Sequence, residues 1–303
     1  MKKILTSPSS FGQINSEPFD LLSSNGFSYT NNPFGRKLTD NEVIDLAFDC
    51  IGVVAGVETY NKRVIDSLPN LKCISRVGVG MDSIDLSYAK KKSIKVINTP
   101  YGPTRSVAEF TLSLTLSLLK LIPQADFLIR KKQWKKQLGN LLQDKKIGIL
   151  GLGKIGCAVG ELFNRLGNEV IGYDINPNHS MLDKFGIKLV NFNYLIAHCD
   201  ILTIHVPGSK NPIITNSELC KMKENMLLIN VSRGGVVKED DLYESLKNKK
   251  ILGAAIDVFQ NEPYIGPLTN LENVILTPHI GSYSKEAKLK MEIDAVQNLI
   301  DNI

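Results

Sequence analysis

The sequence predicts an α/β protein with two units, each built on a parallel sheet. Short apolar runs alternate with helical patterns over residues 1–98 and again over 145–280, which is the order of elements in a parallel sheet. A segment rich in Pro and Gly, Asn98-Thr-Pro-Tyr-Gly-Pro103, separates the two stretches. The chain of 303 residues is also long enough for two hydrophobic cores.

The first stretch contains four predicted strands, at residues 4–6, 51–55, 71–76 and 94–97. Helices are predicted between them, at residues 19–22, 40–48, 62–68 and 86–91, and Thr39-Asp-Asn-Glu42 is a capping box for the second of these. Because no glycine fingerprint occurs in this stretch, we do not expect it to hold a dinucleotide.

A long helix over residues 106–122 follows, and the pattern Ser106-Val-Ala-Glu109 predicts a second capping box at its start. Leucine alternates with Ser and Thr in this segment, so a strand is the alternative, but length and cap favour the helix. Pro123 is expected to end it. A helix this apolar on all sides must be buried, either between domains or against a second subunit.

The second stretch contains about six predicted strands, at residues 147–150, 169–173, 201–205, 227–231, 251–257 and 274–277. Helices at 158–166, 194–198, 217–223 and 239–248 alternate with them, which indicates a complete doubly wound sheet. A last amphipathic helix, 284–300, has no further sheet to join and is expected to return to the first unit. The predicted domains are therefore 1–98 with 283–303, and 99–282.

The most informative motif lies where the second stretch begins. Gly151, Gly153 and Gly156 form G-x-G-x-x-G between a predicted strand and a predicted helix, and Asp174 ends the next strand. In a dinucleotide site these glycines allow a tight turn, close approach to a pyrophosphate and close packing of the helix on the strand. The acid accepts hydrogen bonds from the ribose hydroxyls and repels a 2′-phosphate, so the motif predicts NAD rather than NADP.

Composition excludes several other classes. The net charge of +5 is spread over many lysines, which suits a small anionic substrate and does not indicate a nucleic-acid partner. The five cysteines show neither a C-x-x-C pattern nor metal-ligand spacing, so we expect no metal site, reduced thiols and a cytoplasmic setting. Neither a signal peptide nor a membrane span is expected.

Three side chains that could carry chemistry follow strands of the second stretch: Arg233, Glu262 and His279. An NAD enzyme needs a proton acceptor beside the carbon that gives up hydride and a cation that holds and polarises the substrate. The carboxyl ends of parallel strands, where ligands bind, would bring the three together. A structural histidine and a surface arginine are the alternatives for His279 and Arg233.

Several motifs occur in one order along nearly the whole chain: Arg76-Val-Gly-Val-Gly-Met-Asp82, Asn98-Thr-Pro, Ser106-Val-Ala-Glu109, the glycine fingerprint, Ser232-Arg-Gly-Gly, Asp257-Val-Phe and Pro278-His-Ile-Gly. Together they resemble the D-isomer-specific 2-hydroxyacid dehydrogenases, and most closely the 3-phosphoglycerate dehydrogenase branch. The resemblance implies two Rossmann-like or flavodoxin-like domains with the active site in the cleft between them. It also implies a homodimer formed through the helix at 106–122.

The resemblance implies a role for each catalytic candidate. His279 is the general acid/base, Glu262 orients it and favours its protonated form, and Arg233 binds the carboxylate and keto oxygen of the substrate. Further positions match cofactor contacts, namely Lys154, Ile155, Val206, Val231, Ser232, Asp257 and Gly281, together with Gly151, Gly153, Gly156 and Asp174. The substrate carboxylate is expected on backbone N–H groups of Val77, Gly78, Val79 and Gly80. Arg76 is expected either to bind a substrate phosphate or to form an ion pair at the strand end.

The expected reaction interconverts a D-2-hydroxy acid and its 2-keto acid, with 3-phosphoglycerate first among the substrates and glyoxylate, hydroxypyruvate or another 2-keto acid next. Since the sequence stops at Ile303, control by serine through an appended regulatory domain is not expected. An NAD(H)-sensing corepressor is the alternative from another class. Formate oxidation is disfavoured because that branch pairs its histidine with glutamine, whereas this chain has Glu262.

Overall fold

The computed structural model describes residues 2–303, and the chain divides into two compact units. Unit 1 comprises Met1–Pro103 together with Tyr283–Ile303, and unit 2 comprises Thr104–Ser282. The boundaries between the two domains were predicted from the sequence at residues 98–99 and 282–283.

Unit 1 contains a five-stranded parallel sheet in the order β2-β1-β3-β4-β5. The strands are β1 (Lys2–Thr6), β2 (Phe27–Asn31), β3 (Gly52–Ala55), β4 (Cys73–Arg76) and β5 (Lys95–Asn98). The helices are α1 (Glu17–Ser24), α2 (Asp40–Ala47), α3 (Lys62–Asp66), α4 (Leu86–Lys91) and the C-terminal helix (Lys285–Ile300).

Both faces of the unit 1 sheet are covered, which explains why its central strand β3, Gly-Val-Val-Ala, is apolar throughout. Alternate strand residues such as Leu5 and Val53 belong to a core that includes Val43 of α2 and Val64 of α3. Residues that point to the other face pack with α1 and with the C-terminal helix, which contributes Ala295, Val296 and Leu299.

Unit 2 contains a seven-stranded parallel sheet in the order β12-β11-β10-β9-β6-β7-β8. The strands are β6 (Ile147–Leu150), β7 (Val170–Tyr173), β8 (Lys188–Leu189), β9 (Ile201–Ile204), β10 (Leu227–Asn230), β11 (Gly253–Ile256) and β12 (Val274–Leu276). The helices are α5 (Gly102–Lys120), α6 (Ile122–Arg130), α7 (Lys154–Arg165), α8 (His179–Phe185), α9 (Phe192–His198), α10 (Asn216–Leu219) and α11 (Glu239–Lys247). A short 3₁₀ helix, Pro267–Asn270, precedes β12.

The predicted fold class is confirmed, since both units are α/β and both sheets are parallel. Two strands were not predicted, and both lie at a sheet edge. β2 pairs with β1 alone and has a polar sequence, Phe-Ser-Tyr-Thr-Asn. β8 is only two residues long and exposed. Edge strands need less apolar sequence than central strands, so their pattern is weak.

The prediction for the helix at 106–122 was wrong at both ends. α5 begins at Gly102 and includes Pro103 in its first turn, where the missing N–H is tolerated. Ser106 therefore lies inside the helix, and its hydroxyl donates to the carbonyl of Gly281 at 3.0 Å instead of capping. The helix stops before Leu121, whose φ is +57°, and Pro123 lies at the start of α6.

Among residues 2–303, no single helix has the length and apolar composition needed to cross a membrane. The consecutive helices α5 and α6 meet that criterion only as a pair, bent by 61° at their junction.

Candidate active site

The glycine turn lies at the topological switch point of the unit 2 sheet, between the carboxyl ends of β6 and β9. Gly151 follows β6 with a φ of +96°, a conformation that L side chains rarely adopt. A Cβ atom at Gly151 would come within 2.6 Å of the His205 carbonyl oxygen, which follows β9. Open α/β sheets bind ligands outside such a switch point, so this turn is a suitable nucleotide cradle.

The other two glycines shape the start of α7. Gly156 packs so closely on the turn that a Cβ atom would be 1.9 Å from the Gly151 carbonyl oxygen. Gly153 is the N-cap residue, has no side chain to cap the helix, and has open space where a Cβ would stand. The start of α7, with Lys154 and Ile155, therefore lies beside open space, as the predicted pyrophosphate site requires.

Asp174 follows β7 and is held against the glycine turn. Its Oδ2 accepts a hydrogen bond from the N–H of Leu152 at 2.7 Å, and its Oδ1 accepts one from the N–H of Asn176 at 2.8 Å. Each carboxylate oxygen can accept a second bond. The carboxylate is therefore fixed in position and can still accept hydrogen bonds, as the predicted role toward the ribose hydroxyls requires.

We expect Asp174→Ala to weaken NADH binding about tenfold to a hundredfold, because two charge-assisted hydrogen bonds are lost. The loss for NADPH should be smaller, since the carboxylate no longer repels the 2′-phosphate. Fluorescence titration with both reduced cofactors measures the ratio.

Asp174→Asn separates repulsion from hydrogen bonding in the same titration, because it keeps an acceptor and removes the charge. Asp183→Ala, which removes an exposed carboxylate from α8, is the matched control. An unchanged NADH/NADPH ratio in both Asp174 variants would contradict the ribose assignment.

Two further groups near the turn are held in uncharged form by burial. Nε2 of His205 lies 2.8 Å from Oγ1 of Thr203, and burial lowers the pKa of His205 to about 3. Cys157, in the first turn of α7, is fully buried and its Sγ lies 3.2 Å from the Leu152 carbonyl oxygen. Burial raises the pKa of this thiol, which disfavours the reactive thiolate.

His205 should make the fold acid-sensitive. Unfolded histidine titrates near 6.5, whereas folded His205 stays neutral down to about pH 3. The unfolded chain therefore binds the extra proton first, so stability from this group is complete above pH 6.5 and declines as the pH falls toward 3. The decline should be at most about 1.4 kcal/mol per pH unit.

Urea unfolding at a series of pH values tests this expectation, with His205→Asn as the variant that cannot take up the proton. The free energies of unfolding of the two proteins should diverge below pH 6.5, wild type falling faster. Parallel curves down to pH 4 would exclude His205 as the source.

The loop after β12 carries His279 in a strained backbone conformation. Its φ of +54° is uncommon for a residue with a side chain. The buried Asp257, directly after β11, holds this turn: Oδ1 accepts hydrogen bonds from the Thr277 hydroxyl at 2.6 Å and the Ile280 N–H at 2.9 Å, and Oδ2 accepts one from the Gly281 N–H at 2.9 Å. Strain that is held in this way by a buried charge is typical of functional sites.

His279 and Glu262 form a hydrogen-bonded pair. Nδ1 of His279 lies 3.1 Å from Oε2 of Glu262, and the side chains are 47% and 40% exposed. The other carboxylate oxygen of Glu262 accepts from the N–H of Phe259 at 3.1 Å, which fixes it within its own loop. Because the carboxylate accepts at Nδ1, Nε2 is the nitrogen that can exchange a proton with a ligand.

The loop after β10 carries Arg233 and is joined to the Glu262 loop. Nη1 of Arg233 donates to the Ser232 carbonyl oxygen at 2.7 Å. A Cβ at Gly234 would lie 1.9 Å from the Phe259 carbonyl oxygen, so only glycine permits this contact between the two loops. The three catalytic candidates thus lie on loops that follow three neighbouring strands, at the carboxyl end of the sheet: Arg233, Glu262 and His279.

Two residues that hold these loops were not singled out from the sequence. Oδ1 of buried Asn230 accepts from the N–H and hydroxyl of Ser232, at 3.1 and 2.7 Å, and its Nδ2 donates to the Arg233 carbonyl oxygen at 3.2 Å. Glu239, at the start of α11, accepts from the Gln260 N–H at 2.6 Å. An Asn at a strand end followed by Ser is a signal for Asn230, whereas nothing local indicates Glu239.

The other predicted cofactor residues also lie at the carboxyl end of the sheet. Val206 contacts the glycine turn, since its Cγ1 would be 2.9 Å from a Cβ at Gly151. Val231 and Ser232 are buried directly after β10. Gly281 accepts a hydrogen bond from Ser106 and donates one to Asp257.

A cavity of ≈ 540 Å³ lies beside the His279–Glu262 pair. Its walls are mostly apolar and comprise Phe259, Glu262, Pro263, Tyr264, Thr269, Leu276, Thr277, Pro278 and His279. Residues 2–303 contain no group of three or more His, Cys, Asp or Glu side chains placed to hold a metal ion.

The predicted substrate residues all belong to unit 1, where they lie at the end of β4 or directly after it. Arg76 ends that strand, and its Nη1 would lie 2.5 Å from a Cβ at Gly78, whose φ is +132°. The N–H of Val77 donates to the Ala55 carbonyl oxygen at 2.9 Å, and that of Gly78 donates to the Thr99 hydroxyl at 2.8 Å. Of the four N–H groups expected to bind the substrate carboxylate, those of Val79 and Gly80 therefore stay candidates.

Comparison with known proteins identifies the family of this chain. Residues 112–281 match the family described as D-isomer specific 2-hydroxyacid dehydrogenase, NAD binding domain. A D-3-phosphoglycerate dehydrogenase of Archaeoglobus fulgidus is 37% identical over 255 residues, which are 82% of this chain and 48% of the relative. A glyoxylate reductase of Thermofilum pendens is 40% identical over 254 residues, 80% of this chain and 75% of the relative.

The fold is also shared with solved structures. The crystal structure of D-lactate dehydrogenase from Aquifex aeolicus complexed with NAD and lactic acid is 26% identical and has a TM-score of 0.83, covering 98% of this chain and 94% of that one. The chain spans about half the length of the curated D-3-phosphoglycerate dehydrogenases it matches.

The predicted family and the predicted cofactor are both confirmed by these matches. The chain belongs to the D-isomer specific 2-hydroxyacid dehydrogenases, and its glycine turn and Asp174 lie within the NAD-binding domain of that family.

Proposed function

We propose that the protein is an NAD-dependent oxidoreductase that interconverts a D-2-hydroxy acid and its 2-keto acid. The observation that carries the proposal is the His279–Glu262 pair, 3.1 Å apart on loops at the edge where the glycine turn also lies. An imidazole held by a carboxylate is suited to exchange a proton. Membership of the family identifies the cofactor as NAD.

Bound NAD(H) would supply or accept the hydride. In the direction of reduction, Nε2 of His279 gives its proton to the keto oxygen, while Glu262 holds the imidazolium through Nδ1. Arg233 offers a fixed cation to the carboxylate and to the oxygen on which charge develops. Asp257 keeps the strained His279 turn in place, and Asn230 does the same for the Arg233 turn.

We propose 3-phosphoglycerate and 3-phosphohydroxypyruvate as the first substrate pair, which would place the protein in serine biosynthesis. The sequence resemblance and the relatives named D-3-phosphoglycerate dehydrogenase support this pair. Glyoxylate or hydroxypyruvate is the second candidate, supported by the relatives named glyoxylate reductase. Both candidates are small anionic acids, as the sequence analysis predicted.

We also propose a homodimer, with the interface shifted from the predicted helix to the segment that follows it. α5 contributes buried residues such as Ala108, Thr111 and Thr115 to unit 2. Exposed apolar side chains follow at Ile122, Phe127, Ile129, Trp134, Leu138 and Leu141. Trp134 is 86% and Leu138 97% exposed, and a concentration of apolar surface on this scale is typical of an interface.

Other expectations remain predictions. They are a cytoplasmic setting, based on reduced cysteines, and the absence of nucleic-acid and membrane partners. An NAD(H)-sensing corepressor is still the alternative from another class, although the joined Arg233, Glu262 and His279 loops favour catalysis.

The proposed function is tested by following the near-ultraviolet absorbance of NADH with a panel of 2-keto acids. The panel contains 3-phosphohydroxypyruvate, hydroxypyruvate, glyoxylate and pyruvate. We expect at least one acid to be reduced with one NADH consumed per molecule. Tight NADH binding without turnover on any of them would support the corepressor instead.

A further inference from the structure

The carboxylate that contacts His279 lies on an exposed segment of unit 2. Residues 260–263, which include Glu262, are exposed, whereas Phe259 before them is only 8% exposed and belongs to the hydrophobic core of this unit. The segment also borders the cavity of ≈ 540 Å³, so close packing cannot hold it on that side. A carboxylate keeps a defined hydrogen bond to an imidazole only if the surrounding structure fixes its backbone, so the two ends of this segment deserve comparison.

Tyr264 joins the two ends of the exposed segment. Its ring stacks on the ring of Phe259, with 4.2 Å between the ring centroids and 18° between the planes. The N–H of Phe259 donates to Oε1 of Glu262 at 3.1 Å, so the residue that carries the stacked ring also holds the carboxylate. Because stacked aromatic pairs contribute stability beyond the area that they bury, the stack closes residues 259–264 into a fixed loop.

The far end of the Tyr264 side chain is held as well. Its hydroxyl accepts a hydrogen bond from the N–H of Leu268 at 3.2 Å, and Leu268 is a fully buried residue of the 3₁₀ helix that precedes β12. A Cβ atom at Gly266 would lie only 2.4 Å from the same hydroxyl oxygen. The ring therefore fits tightly against this backbone and cannot turn away from Phe259 without disturbing buried structure.

The Tyr264 hydroxyl is uncharged in the pH range where imidazole groups titrate. Burial raises the pKa of Tyr264, and the negative charges of Glu239 and Asp240 also raise it. A substitution at Tyr264 thus changes no charge, and it leaves the charged side chains of the surrounding loops and helix in the sequence. These are Arg233, Glu239, Asp240, Asp257 and Glu262.

We propose that Tyr264 is a positioning residue whose ring, stacked on Phe259, keeps the Glu262 carboxylate within hydrogen-bond reach of His279. The proposal rests on the proposed function, in which the imidazolium of His279 supplies the proton. Tyr264 takes no part in hydride or proton transfer. Because a fixed carboxylate favours the imidazolium, loss of the stack should make His279 give up its proton at a lower pH.

The test is an NMR titration of the NADH-saturated, full-length protein labelled with ¹³C and ¹⁵N in its four histidines. The His279 signal is identified by its absence from His279→Asn. Tyr264→Leu removes the ring, and the titration midpoint of His279 should fall by about half a pH unit, as expected when one partly exposed charge pair loosens. Tyr264→Phe keeps the stack and should retain the wild-type midpoint. An unchanged midpoint in Tyr264→Leu, or an equal shift in Tyr264→Phe, would overturn the proposal.

A control variant separates the position of the carboxylate from a general loss of stability. Tyr194 stacks on His198 in α9 of the same unit, with 3.9 Å between the ring centroids. Tyr194→Leu breaks this stacked pair and should leave the titration midpoint of His279 unchanged. A shift in this control as large as that in Tyr264→Leu would overturn the proposal.

A second variant displaces the Tyr264 ring without removing it. Gly266→Ala adds a Cβ atom where the Tyr264 hydroxyl now lies, so the ring must move and the midpoint of His279 should fall as in Tyr264→Leu. This variant decides the question if Tyr264→Leu does not fold. A wild-type midpoint in Gly266→Ala would then overturn the proposal.

The titration does not depend on turnover, so failure of this inference and failure of the proposed function give different results. A lower midpoint in Tyr264→Leu, with no keto acid reduced by wild type, keeps the role of Tyr264 and removes the proposed function. Turnover with an unchanged midpoint does the reverse. Where both hold, Tyr264→Leu should reduce a 2-keto acid about threefold more slowly than wild type above the midpoint, the factor that half a pH unit gives.

Discussion

Replacement of His279 by alanine is expected to lower the rate of 2-keto acid reduction by about 10²–10⁴, the range typical of a general acid. The variant keeps the glycine turn and Asp174. Because substitutions at distant sites act independently, its affinity for NADH should change less than about twofold. Steady-state kinetics and fluorescence titration on the same preparation measure the two quantities.

The strained backbone at this position calls for a second variant. This variant is His279→Asn, because asparagine tolerates a positive φ better than most residues. Its side chain is polar but is not an acid of suitable strength. It should lose as much turnover as the alanine variant. The contrary result is a large loss of NADH affinity in both variants, with activity retained at saturating NADH. It would mean that His279 holds the loop and does not transfer the proton.

Replacement of Arg233 by alanine is expected to lower kcat/KM for a 2-keto acid by about 10²–10³, as removal of one preorganised oxyanion donor does elsewhere. The guanidinium both binds the carboxylate and stabilises charge on the reacting oxygen, so kcat and KM should both change. Because the loop is held by Asn230 and by the contact of Gly234 with Phe259, its backbone should stay in place.

A second variant, Arg233→Lys, separates the charge of the side chain from its geometry. Lysine keeps the charge but lacks the planar fork that binds two oxygens at once, so it should recover only part of the lost activity. Lys238→Ala, which removes a nearby exposed cation after the same loop, serves as the control. Full activity in Arg233→Ala would remove the residue from the proposed mechanism.

The sequence predicted the elements whose pattern depends on their own residues. The glycine turn is one example, because a tight approach to His205 and a close helix contact each require glycine. The capping box at Thr39 and Glu42 is another, since both hydrogen bonds form within four residues. Asp174, His279 and Glu262 were singled out because each directly follows or lies near the end of a strand, and their roles stay predictions.

Features that depend on distant partners were missed or misplaced. Ser106 has the sequence of a cap but bonds to Gly281, which is remote in sequence. Val77 and Gly78 were expected to hold a carboxylate, yet their N–H groups are used by Ala55 and Thr99.

The central claim is that hydride passes from NADH to C2 of a 2-keto acid while this protein supplies the proton. The most direct measurement uses NADH with deuterium at both C4 positions of the nicotinamide, followed by mass spectrometry and NMR of the hydroxy acid formed. We expect one deuterium at C2 of a product of D configuration. A product without deuterium at C2, or no product from any keto acid of the panel, would contradict it.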